Sequence, residues 1–386
     1  MMSAPLAIWQ RVYADRTLIK RAAAVDPQNV ADIARLRRDV DPDTIGIALE
    51  LVGARHKLEI KFGEAAQAMA SDIAGAEQAS SLCVARHKAQ RFAERAPDQP
   101  VLDLCCGIGG DALGLQSLGL GVQAVDLDPV RAWMAKVNTG PGVTTRVADA
   151  RDIDTAGRYI HIDPARRSAS GRRHFGLENY RPGPDVLGQL IEQADAAAIK
   201  LGPGIDLDTL PWPGEVEFIS DRGRLVQAVL WTGPFAKQPR CATLIGDDKL
   251  AYSLSGSPAP LALGPRLGYI HTVDPAIERA GLLGNLAADL GVHAPHPALG
   301  LLTADQPIDS PWLTGFEVLA SMPWRSAKVR RWLADHDAGI VEVKTRGKAV
   351  DPDSVARALR GKAANSYTVF VHRWDTQKIA MISKRV

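Results

Sequence analysis

Cysteine is scarce. Four residues (Cys83, Cys105, Cys106, Cys241) occur in 386, none at the C-x-x-C spacing of a structural zinc site. This argues against a disulfide framework, offers no metal cluster, and suits a reducing cytoplasmic setting. No run approaches the roughly 18 consecutive apolar residues of a membrane span, so no membrane association is expected. The opening MMSAPLAIWQRVYADR has no charged region ahead of its short apolar stretch, which Arg11 and Asp15 interrupt; no secretory signal is expected there. Repeats and low-complexity tracts are also missing. What remains, 46% hydrophobic and 23% charged residues, is the composition of a globular chain long enough for about two to four domains.

Net charge is small at +2 but unevenly spread. Residues 311–386 carry 14 Lys and Arg against 7 Asp and Glu, while the remainder carries 32 against 37. A basic terminal segment on an acidic body points to an anionic macromolecular partner. The plain alternative is a solvated face that happens to be rich in cations.

Residues 1–95 are rich in Ala and place apolar residues at three- and four-residue spacings, as in TIGIALELVGARHKLEIKF and SSLCVARHKAQRFAERA. This predicts an N-terminal helical region, with Asp41 and Asp43 as helix-start residues. Over residues 96–235 short apolar runs (VLDL, VQAVDL, VTTRV, YIHID, AAAIKL, EVEFIS, LVQAVLW) alternate with helix-compatible segments at 110–118, 129–138 and 184–193. Such alternation predicts an α/β fold with a mostly parallel sheet. DRGR, between the last two runs, reads as a hairpin link, so the final strand should be antiparallel. GPGIDLDTLPWPG admits no helix and is expected beside the strand C-termini, where open α/β sheets bind ligands. Residues 236–310 read as a connecting α+β region in which YIHTVDPAIERAGLLGNLAADLG gives a strand and then a helix capped at Asp274. Residues 311–386 read as a basic α+β domain in the order strand, helix, strand, helix, strand, strand.

The chemistry gathers at VLDLCCGIGGDALGLQ, residues 101–116. The glycines Gly107, Gly109 and Gly110 do not have the G-x-G-x-x-G spacing of a nicotinamide loop. Instead Asp103 sits inside the strand, four residues before the first glycine. That acid-x-x-x-Gly-x-Gly pattern resembles motif I of class I S-adenosylmethionine-dependent methyltransferases. An ammonium and a sulfonium make carboxylates such as Asp103 and Asp111 useful near the loop, and Gly107 and Gly109 allow close backbone approach. Asp126 ends the second strand, placed to hold ribose hydroxyls, with Leu127 after it. Asp149 ends the third, placed to accept from an adenine amine, with Ala150 after it. Cys105 belongs to the same loop. A lone Asp at a strand end is commonly a helix cap, but four in register, at 103, 126, 149 and 163, mark one ligand site.

The fourth strand ends in Asp163-Pro164-Ala165-Arg166-Arg167, where this fold places the turn that faces the acceptor. Asp163, Pro164 and Arg166 are the candidate catalytic residues. Enzymes that methylate exocyclic amines of bases show a second proline and an aromatic here, and both are missing. The turn is also similar to the Asp-Pro-Pro-Arg of uracil-C5 methyltransferases, but IKLGPGID has no cysteine where those enzymes carry their nucleophile. Arg167, Arg172, Arg173 and Arg181, interleaved with His174, Phe175 and Tyr180, suit a nucleic-acid strand.

HIDPARR, EQASSLCVARHKAQRF and VEVKTRGKAVDPDSVARALRGKAANSYTVFVHRW together resemble bacterial class I methyltransferases with a C-terminal THUMP-like domain, over most of the chain. The resemblance implies a Rossmann-like mostly parallel sheet, an N-terminal helical region and a ferredoxin-like or THUMP-like α+β module, with S-adenosylmethionine as cofactor and no metal. By analogy with true THUMP methyltransferases it implies RNA as substrate and partner. It also makes Gln78 and Ser80 candidate cofactor contacts, a helix cap at Ser80 or Ser81 being the plainer reading. Lys344, Arg346, Lys348, Arg360, Lys362 and Arg373 are expected to grip RNA backbone, and His372 to be structural. Two other readings stay open: a methyltransferase acting on a small molecule or protein, and an inactive RNA-binding protein.

Overall fold

A computed structural model describes residues 5–26, 29–166 and 176–386. The chain divides into two compact units, Met1–Ile219 with Val226–Pro239, and Ser220–Leu225 with Arg240–Val386.

The first unit opens with helices α1 (Leu6–Ala14), α2 (Arg16–Ala23), α3 (Val30–Leu36), α4 (Pro42–Phe62), α5 (Ile73–Gln78) and α6 (Leu82–Arg95). Their starts are written in the sequence. Asp41 accepts from Thr44 N with Pro42 in the first turn of α4, Asp72 accepts from Gly75 N, and Ser81 accepts from Val84 N. Ile47, Ala48, Leu51, Ala54 and Leu58 recur at helical spacing along α4 and are buried with Trp9, Val12 and Leu18. That core also contains Ile108, Val130 and Met134, so the helical layer packs directly on the glycine loop and the helix after β2.

The α/β part follows as β1 (Val101–Leu104), α7 (Gly110–Gln116), β2 (Val122–Asp126), α8 (Pro129–Thr139), β3 (Val143–Val147), β4 (Tyr159–Ile162), β5 (Ala165–Arg166), β6 (Tyr180–Arg181), α9 (Pro184–Gln193), β7 (Ala196–Leu201), β8 (Glu215–Asp221) and β9 (Arg224–Trp231). The large sheet runs β8-β9-β7-β4-β1-β2-β3. β1, β2, β3, β4 and β7 pair in parallel, and β9 returns antiparallel to β7. The order reverses at β1, so β1 and β4 diverge into the connections that leave a crevice at their C-terminal ends. A Cβ at Gly114 would lie 2.6 Å from the Ala85 carbonyl carbon. Only glycine lets α7 come this close to α6.

The second unit contributes a hairpin, β10 (Arg240–Ile245) with β11 (Ala251–Gly256), and then β12 (Tyr269–Val273), α10 (Pro275–Ala280), α11 (Leu283–Asp289), β13 (Leu301–Ala304), β14 (Leu313–Pro323), α12 (Ser326–Asp335), β15 (Ala338–Thr345), α13 (Pro352–Leu359), β16 (Asn365–Trp374) and β17 (Gln377–Arg385). Its six-stranded sheet runs β13-β12-β14-β17-β16-β15, with β15 and β16 parallel. Residues 236–310 thus supply β12 and β13 to the sheet that β14 to β17 build. Asp274 accepts from Ala276 N as a cap, but the expected single helix is two: the left-handed φ of +73° at Gly281 ends α10. Strand alternation sorts the two faces. Val369 and Val371 pack with Val329, Leu333 and Leu359 of the helices, while Phe370 packs with Ile270, Leu301 and Phe316.

His372 follows the Phe370 register. It is buried, and its Nδ1 has no hydrogen-bond partner among the described residues. Burial, with Arg346 and His296 adding, pushes its pKa down from 6.5 to about 4. The unfolded chain binds this proton below pH 6.5 and the folded chain refuses it until about pH 4. The stability this neutral ring confers is therefore full above pH 6.5 and lost as pH falls from 6.5 to 4, by about 3 kcal/mol. Urea melts of wild type and His372→Gln at pH 7 and 4.5 check this: the wild type should lose more stability between the two, and equal losses would contradict it.

Among the described residues no helix is long and apolar enough to cross a membrane, and no group of His, Cys, Asp or Glu is placed to hold a metal ion.

Candidate functional site

Parallel register brings the acidic strand ends together. Leu104 pairs with Val125 and Ile162, and Asp126 pairs with Val147. Asp126 therefore ends β2 beside the loop that leaves β1, with Asp163 across β1 on the other side. The Asp163 amide donates to Leu104 O (3.1 Å) and the Cys106 amide to Val125 O (3.0 Å). Cys105 turns the chain with φ +57°, and Gly107 and Gly109 follow with φ +56° and +81°. Asp126 is the organising acid: Oδ2 accepts from Gly107 N (2.9 Å) and Oδ1 from Asp128 N (2.9 Å). Burial nevertheless raises its pKa, against those hydrogen bonds. Leu127 beside it is 66% exposed. Asp149 accepts from the backbone and guanidinium of Arg151, which hold its carboxyl below the usual range, and Ala150 is buried behind it.

Asp103 and Asp111 face inward. Both are buried, each against its own cation or donor. His161 Nδ1 lies 2.7 Å from Asp103 Oδ1, and Lys88 Nζ lies 2.7 Å from Asp111 Oδ1. Lys88 Nζ also reaches His161 Nε2 at 3.2 Å. Burial pulls the Lys88 pKa down, but the Asp111 carboxylate 2.7 Å away favours the ammonium; an ammonium can only donate, so Nε2 accepts and Nδ1 carries the proton toward Asp103. Ser80 Oγ completes the cluster, 3.2 Å from both Asp111 Oδ2 and Gln227 Oε1. Burial alone would raise the Asp111 carboxyl, but Lys88, with His161 and Lys200 beyond it, holds it far below the usual range. For Asp103 burial wins and the carboxyl is raised despite His161. Asp103 Oδ2 has no partner among the described residues.

Asp163 has a partner the sequence did not announce. Lys200, inside the apolar run of β7, sets Nζ 2.6 Å from Asp163 Oδ2 and donates to Gln78 O at 3.0 Å. Burial lowers the Lys200 pKa, yet Asp163 and Asp111 outweigh it and the ammonium is favoured. Gln78 thus meets the site through its backbone. Lys61 donates to Ala76 O, Glu77 O and Ala79 O, pinning the same segment from α4. Pro164 is buried, and Arg166 lies over Gly202, where a Cβ would strike its guanidinium. Tyr180 OH accepts from Gly202 N (2.7 Å), tying the β5–β6 ladder to the end of β7. Arg167, Arg172 and Arg173, with His174 and Phe175, lie outside the described residues.

Two curated proteins of Mycobacterium tuberculosis, strains CDC 1551 / Oshkosh and ATCC 25618 / H37Rv, are each 34% identical to this chain over 326 residues, spanning 80% of it and 86% of their own length. Both are described as uncharacterized S-adenosylmethionine-dependent methyltransferases. The chain belongs to the S-adenosylmethionine-dependent methyltransferases. A solved candidate methyltransferase of Porphyromonas gingivalis W83 shares the fold, with a TM-score of 0.72 at 16% identity over 99% of this chain and 98% of that one. A family model described as "THUMP domain-like" matches residues 313–385.

The groove of this methyltransferase suits its cofactor. Nothing lies within 4 Å of where a Cβ on Gly107 would stand, which leaves a cradle open against the loop backbone. Leu127 and Val147 offer exposed apolar surface for a flat ring beside the Asp126 and Asp149 carboxylates. The Cys105 and Cys106 thiols are both pushed up, first by burial and then by surrounding carboxylates, so neither supplies a thiolate.

In the THUMP-like segment Lys344 pairs with Glu342 (2.8 Å) and Arg346 with Glu278, so acids already occupy both cations. Lys348, Arg360, Lys362 and Arg373 are exposed at element ends and loops. Lys88, His161 and Lys200 escaped the sequence reading. The signal was there for Lys200 and His161, each a polar residue inside a buried apolar strand.

Proposed function

We propose that this methyltransferase modifies a base in structured RNA by direct methyl transfer. The observation that carries the RNA reading is the THUMP-domain-like match over a segment whose exposed Lys348, Arg360, Lys362 and Arg373 are available to phosphates. The cofactor supplies a methyl group on a sulfonium, so positioning accounts for most of the acceleration. In this reading the 105–109 turn and Gly107 cradle the methionine portion, Asp126 holds the ribose hydroxyls, and Leu127 and Val147 flank the adenine. Asp149 and Ala150 take the adenine edge. Asp103, hydrogen-bonded to His161, and Asp111, paired with Lys88, fix the shape of the loop. Asp163, Pro164 and Arg166 face the acceptor, with Asp163 held by Lys200.

The test is a charge reversal of Lys348, Arg360, Lys362 and Arg373 to Glu, leaving Lys344 and Arg346 in their ion pairs. RNA affinity should fall at least about tenfold at moderate salt, and the slope of log affinity against log salt should flatten by about 3. Unchanged affinity and slope would remove RNA from this reading.

A further inference from the structure

We propose that the second unit holds a pocket for an uncharged, nucleobase-type ring, on the sheet face turned away from α12 and α13. This goes beyond the methyl-transfer reading and uses none of its residues.

The pocket follows from alternation along two neighbouring strands. Val369 and Val371 of β16 face the helices, so Phe370 and His372 face the other way. On β15, Val341 and Val343 face the helices, which turns Glu342 and Lys344 to the Phe370 side. Across that face Thr272 of β12 and Leu301 of β13 complete a cavity of about 380 Å³. It is far larger than a packing void and falls in the size range of small-molecule sites. Leu299, Leu301 and Phe370 give it buried apolar walls. Gly300, at φ +59°, passes so close to Arg346 and Glu278 at the rim that a Cβ would strike both side chains.

The polar groups then select the ligand. The His372 imidazole lines the cavity at 2% exposure, and its Nδ1 has no partner among the described residues. Buried nitrogens are nearly always hydrogen-bonded, so this one asks for a polar edge supplied by a ligand. Burial keeps the ring neutral at pH 7, so it offers no charge to an anion. Charge at the rim is balanced as well. Lys344 pairs with Glu342 at 2.8 Å, and Arg346 pairs with Glu278. A phosphate or carboxylate would meet an acid beside each cation, and a cationic ligand would meet the reverse. What fits is an uncharged ligand with apolar faces and a hydrogen-bonding edge, its face on Phe370 and its edge on His372 Nδ1. A nucleobase has that form, either in a free nucleoside or turned out of an RNA strand.

The experiment uses the full chain as wild type, His372→Phe and Thr272→Trp, with excess S-adenosylhomocysteine present to occupy the methyltransferase groove. His372→Phe keeps a ring and removes the nitrogen, and Thr272→Trp fills the cavity from β12. One arm titrates adenosine, guanosine, cytidine and uridine by calorimetry. The other compares oligoribonucleotides carrying one base on an otherwise abasic ribose-phosphate backbone with the fully abasic strand. The expected result is one nucleoside bound at least about tenfold tighter than the others, because a wrong edge leaves Nδ1 unpaired. Each variant should weaken that binding at least about tenfold. Melting curves show whether each variant is folded, and Thr272→Trp carries the test if His372→Phe is not. A base-dependent gain seen only in the oligomer arm, and lost in the variants, sustains the pocket and assigns the ring to an RNA strand. No base-dependent binding in either arm overturns the proposal, and so does wild-type affinity in either folded variant.

Discussion

Asp163→Asn lowers turnover at least about 100-fold while cofactor affinity stays within about threefold. The substitution keeps the shape of the side chain and leaves an oxygen for the Lys200 ammonium, 2.6 Å away in the native pair. What it removes is the charge and the second acceptor. An amide NH2 turned toward the acceptor donates where the carboxylate accepts, so a hydrogen-bearing acceptor group would lose the oxygen that orients it. In the proposed reading the cofactor lies on the other side of β1, against the 105–109 turn, Asp126 and Leu127, and is untouched by this change. Single-turnover kinetics with calorimetric cofactor binding separate the two effects. Turnover within threefold of wild type would place the acceptor elsewhere.

Lys88→Met destabilises the first unit by about 3–5 kcal/mol, the cost of stranding a buried charge. Lys88 is 2% exposed and Asp111 8%, so neither can turn to water. Met matches the stem of Lys and fills its channel, and the loss is therefore electrostatic rather than a cavity. Asp111 would keep only His161, whose Nε2 is 3.7 Å away, and the Ser80 hydroxyl. Because Lys88 lies on α6 and Asp111 on α7, the helical layer and the glycine-loop helix loosen together. The melting temperature should fall by about 10 °C for a unit of this size. Adding Asp111→Asn should recover at least half of the loss, since the stranded charge is gone. A double variant no more stable than Lys88→Met would show that packing, and not the buried ion pair, accounts for the effect.

The strands and acidic ends of the site were legible because they obey local rules. A short apolar run, a turn and an acid repeat four times, and the register of a parallel sheet does the rest. The caps at Asp41, Ser81 and Asp274 are equally local. The counter-charges were not legible. Lys88 meets Asp111 and His161 across 23 and 73 residues, and Lys200 meets Asp163 across 37, so no window of sequence shows them as partners. Asp103 and Asp111 therefore read as ligands for a cationic group, whereas the fold already gives each an internal partner. In the second unit β14 to β17 and their helices follow clean alternation. β10 and β11 precede the Pro- and Gly-rich SGSPAPLALGPRLG and β13 follows the similarly broken HAPHPALG, where short strands have no period long enough to read. The break at Gly281 was visible as a glycine, and its φ of +73° is the left-handed cap that ends α10.

In the proposed function this groove transfers methyl to an RNA base. Transfer of labelled methyl from S-adenosylmethionine to total RNA prepared from cells lacking the protein tests it most directly, with Asp163→Asn as the matched control. Label concentrated in one RNA size class with wild type, and absent with the variant, is the predicted result. RNA that takes up no label while the protein binds its cofactor would contradict it.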